Sequence, residues 1–216
     1  MDRPTIDNEE LRVAPNRYIY WKGMIEFFIS LFLLVLLSPL LFLICVSIKC
    51  CDWQAPILFK QVRVGKNEQT FLMYKFRTMH PGAEKRLNDF LDKNEIEGPM
   101  FKLKNDPRIT KIGRFLRKTS LDELPQLVNV LRGEMALIGP RPPLEREVAE
   151  YSDTDKKRLT ITPGCTGLWQ VSGRNELSFH EMVVLDLYYI ENLTVWLDLK
   201  IFVKTIGTVL LSKGAF

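Results

Sequence analysis

The hydrophobic pattern is dominated by one run, residues 27–48 (FFISLFLLVLLSPLLFLICVSI), which is almost wholly apolar. It meets the requirement of ~20 apolar residues for a bilayer helix. It is too long for a signal-peptide core, and no small-residue cleavage site follows it. Pro39, preceded by Ser38, falls near its middle. Proline removes a helical hydrogen bond and clashes with the preceding turn, so the pattern predicts helix, break, helix. Arg12, Arg17 and Lys22 precede the run; Lys49, Lys60, Arg63 and Lys66 follow it. A spanning helix leaves one flank poorer in Lys and Arg, whereas a hairpin dipping into one leaflet keeps both flanks in the cytosol. Backbone exposed at the break must be satisfied by the Ser38 hydroxyl or by neighbouring protein. The residues alone leave open the hairpin and a kinked spanning helix. Residues 1–16 are polar, with Pro4 and Pro15, and read as a loose tail; 17–22 is a basic, aromatic flank.

Beyond the run the period changes. ILFKQVRV and TFLMYKF alternate apolar and polar positions around the turn cluster Gly65–Glu68, which predicts a β-hairpin over 56–76. KFRTM then sets Lys75 and Arg77 at a strand end. A charged surface helix is expected within 81–98, and a basic segment over 102–118 carries Ile109, Ile112, Phe115 and Leu116 at helical spacing. Ser120 and Glu123 have capping-box spacing, and Pro125 suits a helix start, so a helix is expected from Ser120 to near Gly133. Further helices are expected over 144–160 and 181–189. Residues 193–211 form an amphipathic helix with Lys200 and Lys204 on one face.

Composition narrows the partners. The 216 residues carry a formal charge of +4 and 46% hydrophobic residues, enough for one cored domain or a smaller domain with a membrane segment. The modest basic excess suits phosphate ligands or an anionic surface without singling out nucleic acid. Cys45, Cys50, Cys51 and Cys165 form no C-x-x-C pair and no zinc spacing. Cys50 and Cys51 stand where acylation acts, but plain reduced thiols are the simpler expectation. His80 and His180 are isolated and receive no role. No internal repeat is visible.

The candidate chemistry centres on Ser120-Leu121-Asp122-Glu123-Leu124-Pro125. Arg114, Arg117 and Lys118 precede it; Arg132 and Arg141 follow it. Adjacent carboxylates among cations suit a cation-assisted phosphate reaction: one attacks phosphorus or holds a divalent ion while the other orients it. Taken alone, the motif is weak, and Asp122 and Glu123 read first as ordinary first-turn acids. In Pro140-Arg141-Pro142-Pro143 the prolines fix the backbone around Arg141, as suits a phosphate ligand or a rigid surface corner. The loop 163–175 (PGCTGLWQVSGRN) groups glycines with Trp169, Gln170 and Arg174, which can contact a base, a ribose and phosphates.

These patterns fall into one order: the Ser38-Pro39 run, KFRTM, NDPRITKIGRFLRKTSLDELPQLVNVLRGEM, IGPRPP, PGCTGLWQVSGRN, LDLYYIEN and WLDLKI. That order resembles the bacterial sugar transferases, the monotopic polyprenol-phosphate phosphoglycosyl transferases, from the apolar run to the C-terminus. The resemblance implies a mainly α fold with a small β-hairpin. It implies a monotopic membrane protein with an N-terminal re-entrant helix–break–helix and interfacial amphipathic helices. The expected division is a tail (1–23), a re-entrant helix (24–49) and a catalytic domain (50–216), the minimal catalytic form. The implied activity transfers a sugar 1-phosphate from a UDP-sugar to undecaprenyl phosphate, releasing UMP, at the cytosolic face of a bacterial inner membrane, as a first step of exopolysaccharide, capsule or O-antigen assembly. Asp122 becomes the nucleophile, Glu123 its partner, and Mg²⁺ the cofactor held at that pair. Lys75, Arg77, Arg117 and Arg141 become phosphate ligands. Gly167, Trp169, Gln170 and Arg174 become nucleotide-sugar ligands. The wording from Gly167 to Arg174 is more like members that transfer glucose or galactose phosphate. Membrane lipid is an expected partner, nucleic acid is not, and a homodimer is compatible.

The chain departs from the family pattern in places. Lys22-Gly23 and Glu26 stand where relatives often carry a Lys-Arg pair and an Asp, and Ala55-Pro56 stands for a Gly-Pro. Two other classes remain: a membrane-anchored polyanion-binding protein, in which an acid pair among arginines is counterproductive, and a phosphohydrolase delivering the same group to water.

Overall fold

In the computed structural model, residues 16–83, 85, 86, 88–93, 103, 106–173 and 177–210 are described. The apolar run folds as two helices that meet at the expected break. α1 (Asn16–Leu36) ends and α2 (Ser38–Cys51) begins at Leu37, with Pro39 in the first turn of α2, where a missing N–H is tolerated. α1 is long and apolar enough to cross a membrane by length and composition.

α1 starts earlier than the division at residue 23 anticipates. Tyr18, Lys22, Glu26 and Ser30 recur at every fourth position and so share one face. That face is covered by protein. Lys22 Nζ lies 2.5 Å from Glu26 Oε1 and 2.8 Å from Asp198 Oδ2, and Tyr18 donates its hydroxyl to Asp198 Oδ2 at 2.9 Å. Glu26 Oε1 also accepts the Ile138 N–H at 3.2 Å, and Ser30 is fully buried. Phe28, Phe32, Val35 and Leu36 on α1 are exposed. The cluster of charges offsets the desolvation that a lone Lys or Glu suffers when buried.

β1 (Leu58–Val64) pairs antiparallel with β2 (Thr70–Phe76), Leu58 opposite Phe76 and Val64 opposite Thr70, as the alternation predicts. The turn places Asn67 and Glu68 at positive φ. α3 (Lys111–Lys118) is capped by Thr110, whose Oγ1 accepts the Gly113 N–H at 2.9 Å. Of the basic segment, the described part before α3 is not helical. Asp106 and Arg108 there form a buried ion pair at 2.6 Å. The charged helix expected within 81–98 is described only in part, and residues 88–93 form a 3-10 turn.

The helix expected from Ser120 is shorter and differently begun. Ser120 adopts the left-handed conformation (φ 55°) and makes no side-chain cap, so there is no capping box. A 3-10 turn, Leu121–Glu123, follows, and α4 (Gln126–Leu131) starts after Pro125. α4 is pinned to the hairpin by Asn129. Its Nδ2 donates to Leu72 O at 2.7 Å and to Glu134 Oε2 at 2.6 Å, and its Oδ1 accepts the Tyr74 N–H at 3.1 Å.

β3 (Ala136–Ile138) and β4 (Gly164–Thr166) form a parallel pair that the sequence pattern does not predict, because three residues are too few to show alternation. The segment 144–160 is not one helix but α5 (Glu145–Val148), α6 (Asp153–Lys156) and a 3-10 turn. α7 (Phe179–Glu191) opens with a Ser178/Glu181 capping box, and α8 (Val195–Leu210) follows. Ile138, Val183, Leu187, Tyr189, Ile190 and Ile201 form the main core, while Val195, Trp196, Leu199, Phe202, Val203 and Ile206 leave an apolar face of α8 exposed.

A second core seats the acidic turn. Ile44 and Ile48 of α2 pack with Phe76 and Leu116, and Leu121 and Leu124, flanking Asp122, lie against them. The N-terminal half of α1 and the C-terminal half of α2 therefore rest on the same body.

Candidate active site

The acidic turn brings Asp122 and Glu123 to opposite degrees of exposure. Asp122 is buried, whereas the Glu123 side chain is about one-third exposed (37%). Glu123 Oε1 accepts a hydrogen bond from Lys75 Nζ at 2.6 Å, so the last turn of β2 delivers a cation to the pair. Burial pushes the Asp122 carboxyl above its ordinary value; Lys75 and Arg117 oppose that rise, and Glu123 adds to it. Arg117 is drawn down by its own burial, and Asp122 pulls it back up.

A glycine sets where Arg117 stands. A Cβ on Gly113 would lie 2.0 Å from Thr78 O, so only glycine lets α3 press against the chain leaving β2. One turn later Arg117 Nε donates to Thr78 Oγ1 at 2.9 Å. Lys75, Arg117, Asp122 and Glu123 are thus one electrostatic unit.

Arg77 stands apart. Its Nε donates to Pro56 O at 2.9 Å and its backbone N–H to Ile57 O at 2.8 Å, which ties the entry of β1 to the exit of β2. Arg141 is held from below. Val64 N donates to Pro143 O (2.9 Å), Gly164 N to Pro140 O (2.8 Å) and Arg63 Nη1 to Pro142 O (3.0 Å), so the proline-rich loop is fixed by its backbone. Arg63 joins the site without a signal in the sequence that points to it. It is buried, and its pKa falls to about 9, first by burial and then by the neighbouring Arg141 cation, while Glu147 and Glu123 raise it. Arg63 therefore lies within reach of Arg141, Glu147 and Glu123 together.

In the Gly-rich loop, glycine identity is explained by packing. A Cβ on Gly164 would lie 2.1 Å from Gly139 N, and one on Gly167 2.5 Å from Gly139 O. Gly167 thus has a reason to be glycine that needs no ligand. Trp169 is buried, Gln170 is half-buried, and Arg174 lies outside the described residues.

The donor set suits a small hard cation. Asp122 and Glu123 offer carboxylate oxygens from adjacent residues, and no group of three His, Cys, Asp or Glu able to hold a metal occurs among the described residues. Mg²⁺ fits such a place, since it is commonly held by one or two carboxylates with substrate phosphates and water completing the octahedron.

The bacterial sugar transferase family matches residues 17–212. The chain belongs to the bacterial sugar transferase family. This sugar transferase is 53% identical over 161 residues to a Streptococcus agalactiae protein named galactosyl transferase CpsE, covering 74% of the chain and 36% of the relative. It is 42% identical over 201 residues to the Salmonella typhimurium undecaprenyl-phosphate galactose phosphotransferase, covering 91% of the chain and 42% of that protein. It is 41% identical over 199 residues to the exopolysaccharide production protein ExoY of Sinorhizobium fredii, covering 90% of the chain and 88% of that relative. The sugar transferase therefore spans about two fifths of some relatives and nearly the whole of another.

Proposed function

We propose that this sugar transferase moves a sugar 1-phosphate from a UDP-sugar to undecaprenyl phosphate, in the assembly of a bacterial glycan. The observation that carries the reading is Asp122: a buried carboxylate whose ionisation is opposed by burial and favoured by Lys75 and Arg117. A charge kept in a costly place beside cations suits a nucleophile. In this reading an Asp122 carboxylate oxygen attacks the β-phosphorus of the donor, the bond to the bridging oxygen breaks, and UMP leaves. An oxygen of undecaprenyl phosphate then attacks the same phosphorus, and Asp122 departs as carboxylate. Lys75, Arg117 and Arg141 hold phosphate oxygens, and Glu123 orients the site. Asp122 and Glu123 would hold Mg²⁺, which when bound neutralises phosphate charge.

We place the site at the cytosolic face of the inner membrane, with 16–51 as a re-entrant hairpin. Support comes from the seating of both halves of this segment on one body, from the basic flanks at both ends and from the exposed apolar faces of α1 and α8. The names of the relatives favour galactose or glucose phosphate as the group moved. The test is incubation of the purified protein with Mg²⁺, undecaprenyl phosphate and single UDP-sugars, reading UMP and lipid product together. Equal amounts of UMP and lipid diphosphate sugar are expected. UMP with sugar phosphate in water identifies a hydrolase, and no UMP from any UDP-sugar overturns the proposal.

A further inference from the structure

The chain leaving β2 is held by its backbone on both sides of Thr78. Arg77 donates its N–H to Ile57 O at 2.8 Å, and His80 donates its own to Arg108 O at 2.9 Å. Thr78 O accepts the Thr110 N–H at 2.9 Å and the Thr110 hydroxyl at 3.2 Å. Thr78 is also buried, so its hydroxyl is presented from a backbone with little room to shift. That hydroxyl accepts Arg117 Nε at 2.9 Å, from a side chain one turn beyond the Gly113 contact.

One bonded nitrogen decides how the whole guanidinium faces. The group is a rigid planar fork, with one bidentate edge made by Nε and an Nη and another made by the two Nη nitrogens. With Nε committed to Thr78, the first edge is closed. The two Nη nitrogens make no hydrogen bond or ion pair among the described residues. Burial draws the Arg117 pKa down, and Asp122 is the first charge to oppose that, ahead of Asp106 and Glu123. Arg117 is therefore within electrostatic reach of Asp122 without being paired to it. Lys75, the other cation acting on Asp122, already donates to Glu123 at 2.6 Å. A phosphoryl group attacked by Asp122 lies against that carboxylate, and its remaining oxygens call for donors on the other side. The Nη edge of Arg117 is a pair of such donors.

We infer that Thr78 is a positioning residue for the transfer: its hydroxyl fixes Arg117 Nε so that the two Nη nitrogens meet the phosphoryl group attacked by Asp122. The inference rests on the UDP-sugar reading, with Asp122 as nucleophile and Arg117 as phosphate ligand. Thr78 acts only through Arg117. An unanchored guanidinium keeps its charge but has to be oriented at each turnover, so the loss falls on the chemical step more than on donor binding.

Thr78→Val keeps the branched shape and loses the hydroxyl, whereas Thr78→Ser keeps the hydroxyl and loses a methyl. Arg117→Met keeps a long stem and removes the guanidinium. These variants and the double variant Thr78→Val/Arg117→Met are made in the full chain. Each is assayed with Mg²⁺, undecaprenyl phosphate and UDP-galactose or UDP-glucose for kcat and donor KM, and by thermal unfolding. Thr78→Val is expected to lower kcat by roughly 10-fold or more, as for a lost hydrogen bond to a charged group, with donor KM changed less. Thr78→Ser should stay within about threefold of wild type, since the bond is kept. Adding Thr78→Val to Arg117→Met should cost no further activity, because the hydroxyl has no guanidinium left to aim. Three results each overturn the inference, whatever the melting temperatures: a wild-type kcat for Thr78→Val, a Thr78→Ser variant as slow as Thr78→Val, or losses that multiply in the double variant. Any of these beside an impaired Arg117→Met leaves the UDP-sugar reading intact. Arg117→Met at the wild-type rate removes Arg117 as a phosphate ligand and the inference with it. A wild type that releases no UMP from any UDP-sugar removes the parent reading itself.

Discussion

The Ser38 hydroxyl donates to the carbonyl of Val35 at 2.8 Å. Val35 is the fourth residue before Pro39, so its carbonyl is the one that proline, lacking an N–H, cannot serve. The serine thus replaces the missing donor at the break between α1 and α2. In hydrocarbon an unserved carbonyl costs several kcal/mol, so the pair makes a bend tolerable at depth.

This leads to a topology prediction. With native cysteines removed, single cysteines near residue 5 and at Asn67 should react with a membrane-impermeant thiol reagent only in inverted vesicles. Labelling near residue 5 in intact cells would show a spanning helix and remove the re-entrant reading. Pro39→Ala restores the donor and relieves the clash, so part of the population should shift to the spanning pattern, with activity falling in proportion. Ser38→Ala leaves the Val35 carbonyl unserved and should lower membrane-extracted yield and melting temperature without changing the labelling pattern.

The break is legible because Ser38-Pro39 interrupts a uniform apolar run, and the β-hairpin because its alternation is sustained over seven residues per strand. The acid pair and its cations stand out as an unusual mixture of charges. Other features depend on contacts remote in sequence. Ser120 and Glu123 have the spacing of a capping box, yet the left-handed Ser120 turns the chain so that Asp122 is buried. Arg63 reads as a strand residue and flank charge, and only the return of the Pro140–Pro143 loop 79 positions later makes it a buried support. One signal does exist in the chain for the seating of α1: Tyr18, Lys22, Glu26 and Ser30 form a polar stripe at helical spacing, which identifies its protein-facing side.

Gly113 is predicted to be intolerant of even one methyl group. Its Cβ would meet backbone, the Thr78 carbonyl, and backbone cannot rotate away as a side-chain tip can. Gly113→Ala should displace α3 and with it the Arg117–Thr78 contact. A stability loss of about 1–3 kcal/mol is expected, with activity lowered further than stability accounts for. Gly23→Ala is the control, because nothing lies within 4 Å of the place its methyl would take. Equal melting temperatures and rates for Gly113→Ala and wild type would contradict this packing account.

Arg141→Ala should impair turnover while leaving the fold intact. The loop is held by the Val64, Gly164 and Arg63 hydrogen bonds to its carbonyls, none of which uses the Arg141 side chain. Removing that guanidinium also relieves the repulsion on Arg63, so the melting temperature should hold or rise. A loss of about 10²-fold in rate is expected for a missing charge-stabilising donor. Arg141→Lys should recover only part of it, since a point charge cannot match a planar fork. Wild-type rates for both variants would assign Arg141 to the surface.

Asp122→Asn separates stability from activity, because burial acts on the two in opposite directions. The native state holds the Asp122 proton more tightly than the unfolded chain, where the carboxyl returns to its ordinary value of 3.8. Stability from this group is therefore complete below that value and is lost as pH rises through the raised native value. At neutral pH the ionised carboxylate is a strained component of the fold, and an uncharged amide of the same shape should stabilise the protein by on the order of 1 kcal/mol. That gain should shrink as the pH is lowered toward ~4, near the ordinary aspartate value. Activity runs the other way. The nucleophile must be ionised, so wild-type turnover should fall with decreasing pH through the same raised value. Asp122→Asn should lose ~10³-fold or more in turnover. Intact-protein mass after incubation with UDP-sugar and Mg²⁺ alone should show a hexose-phosphate adduct on wild type and none on the variant. An active variant would exclude Asp122 as nucleophile; an inactive variant that melts lower than wild type at neutral pH would instead show that the carboxylate supports the fold, and the strain argument would fail.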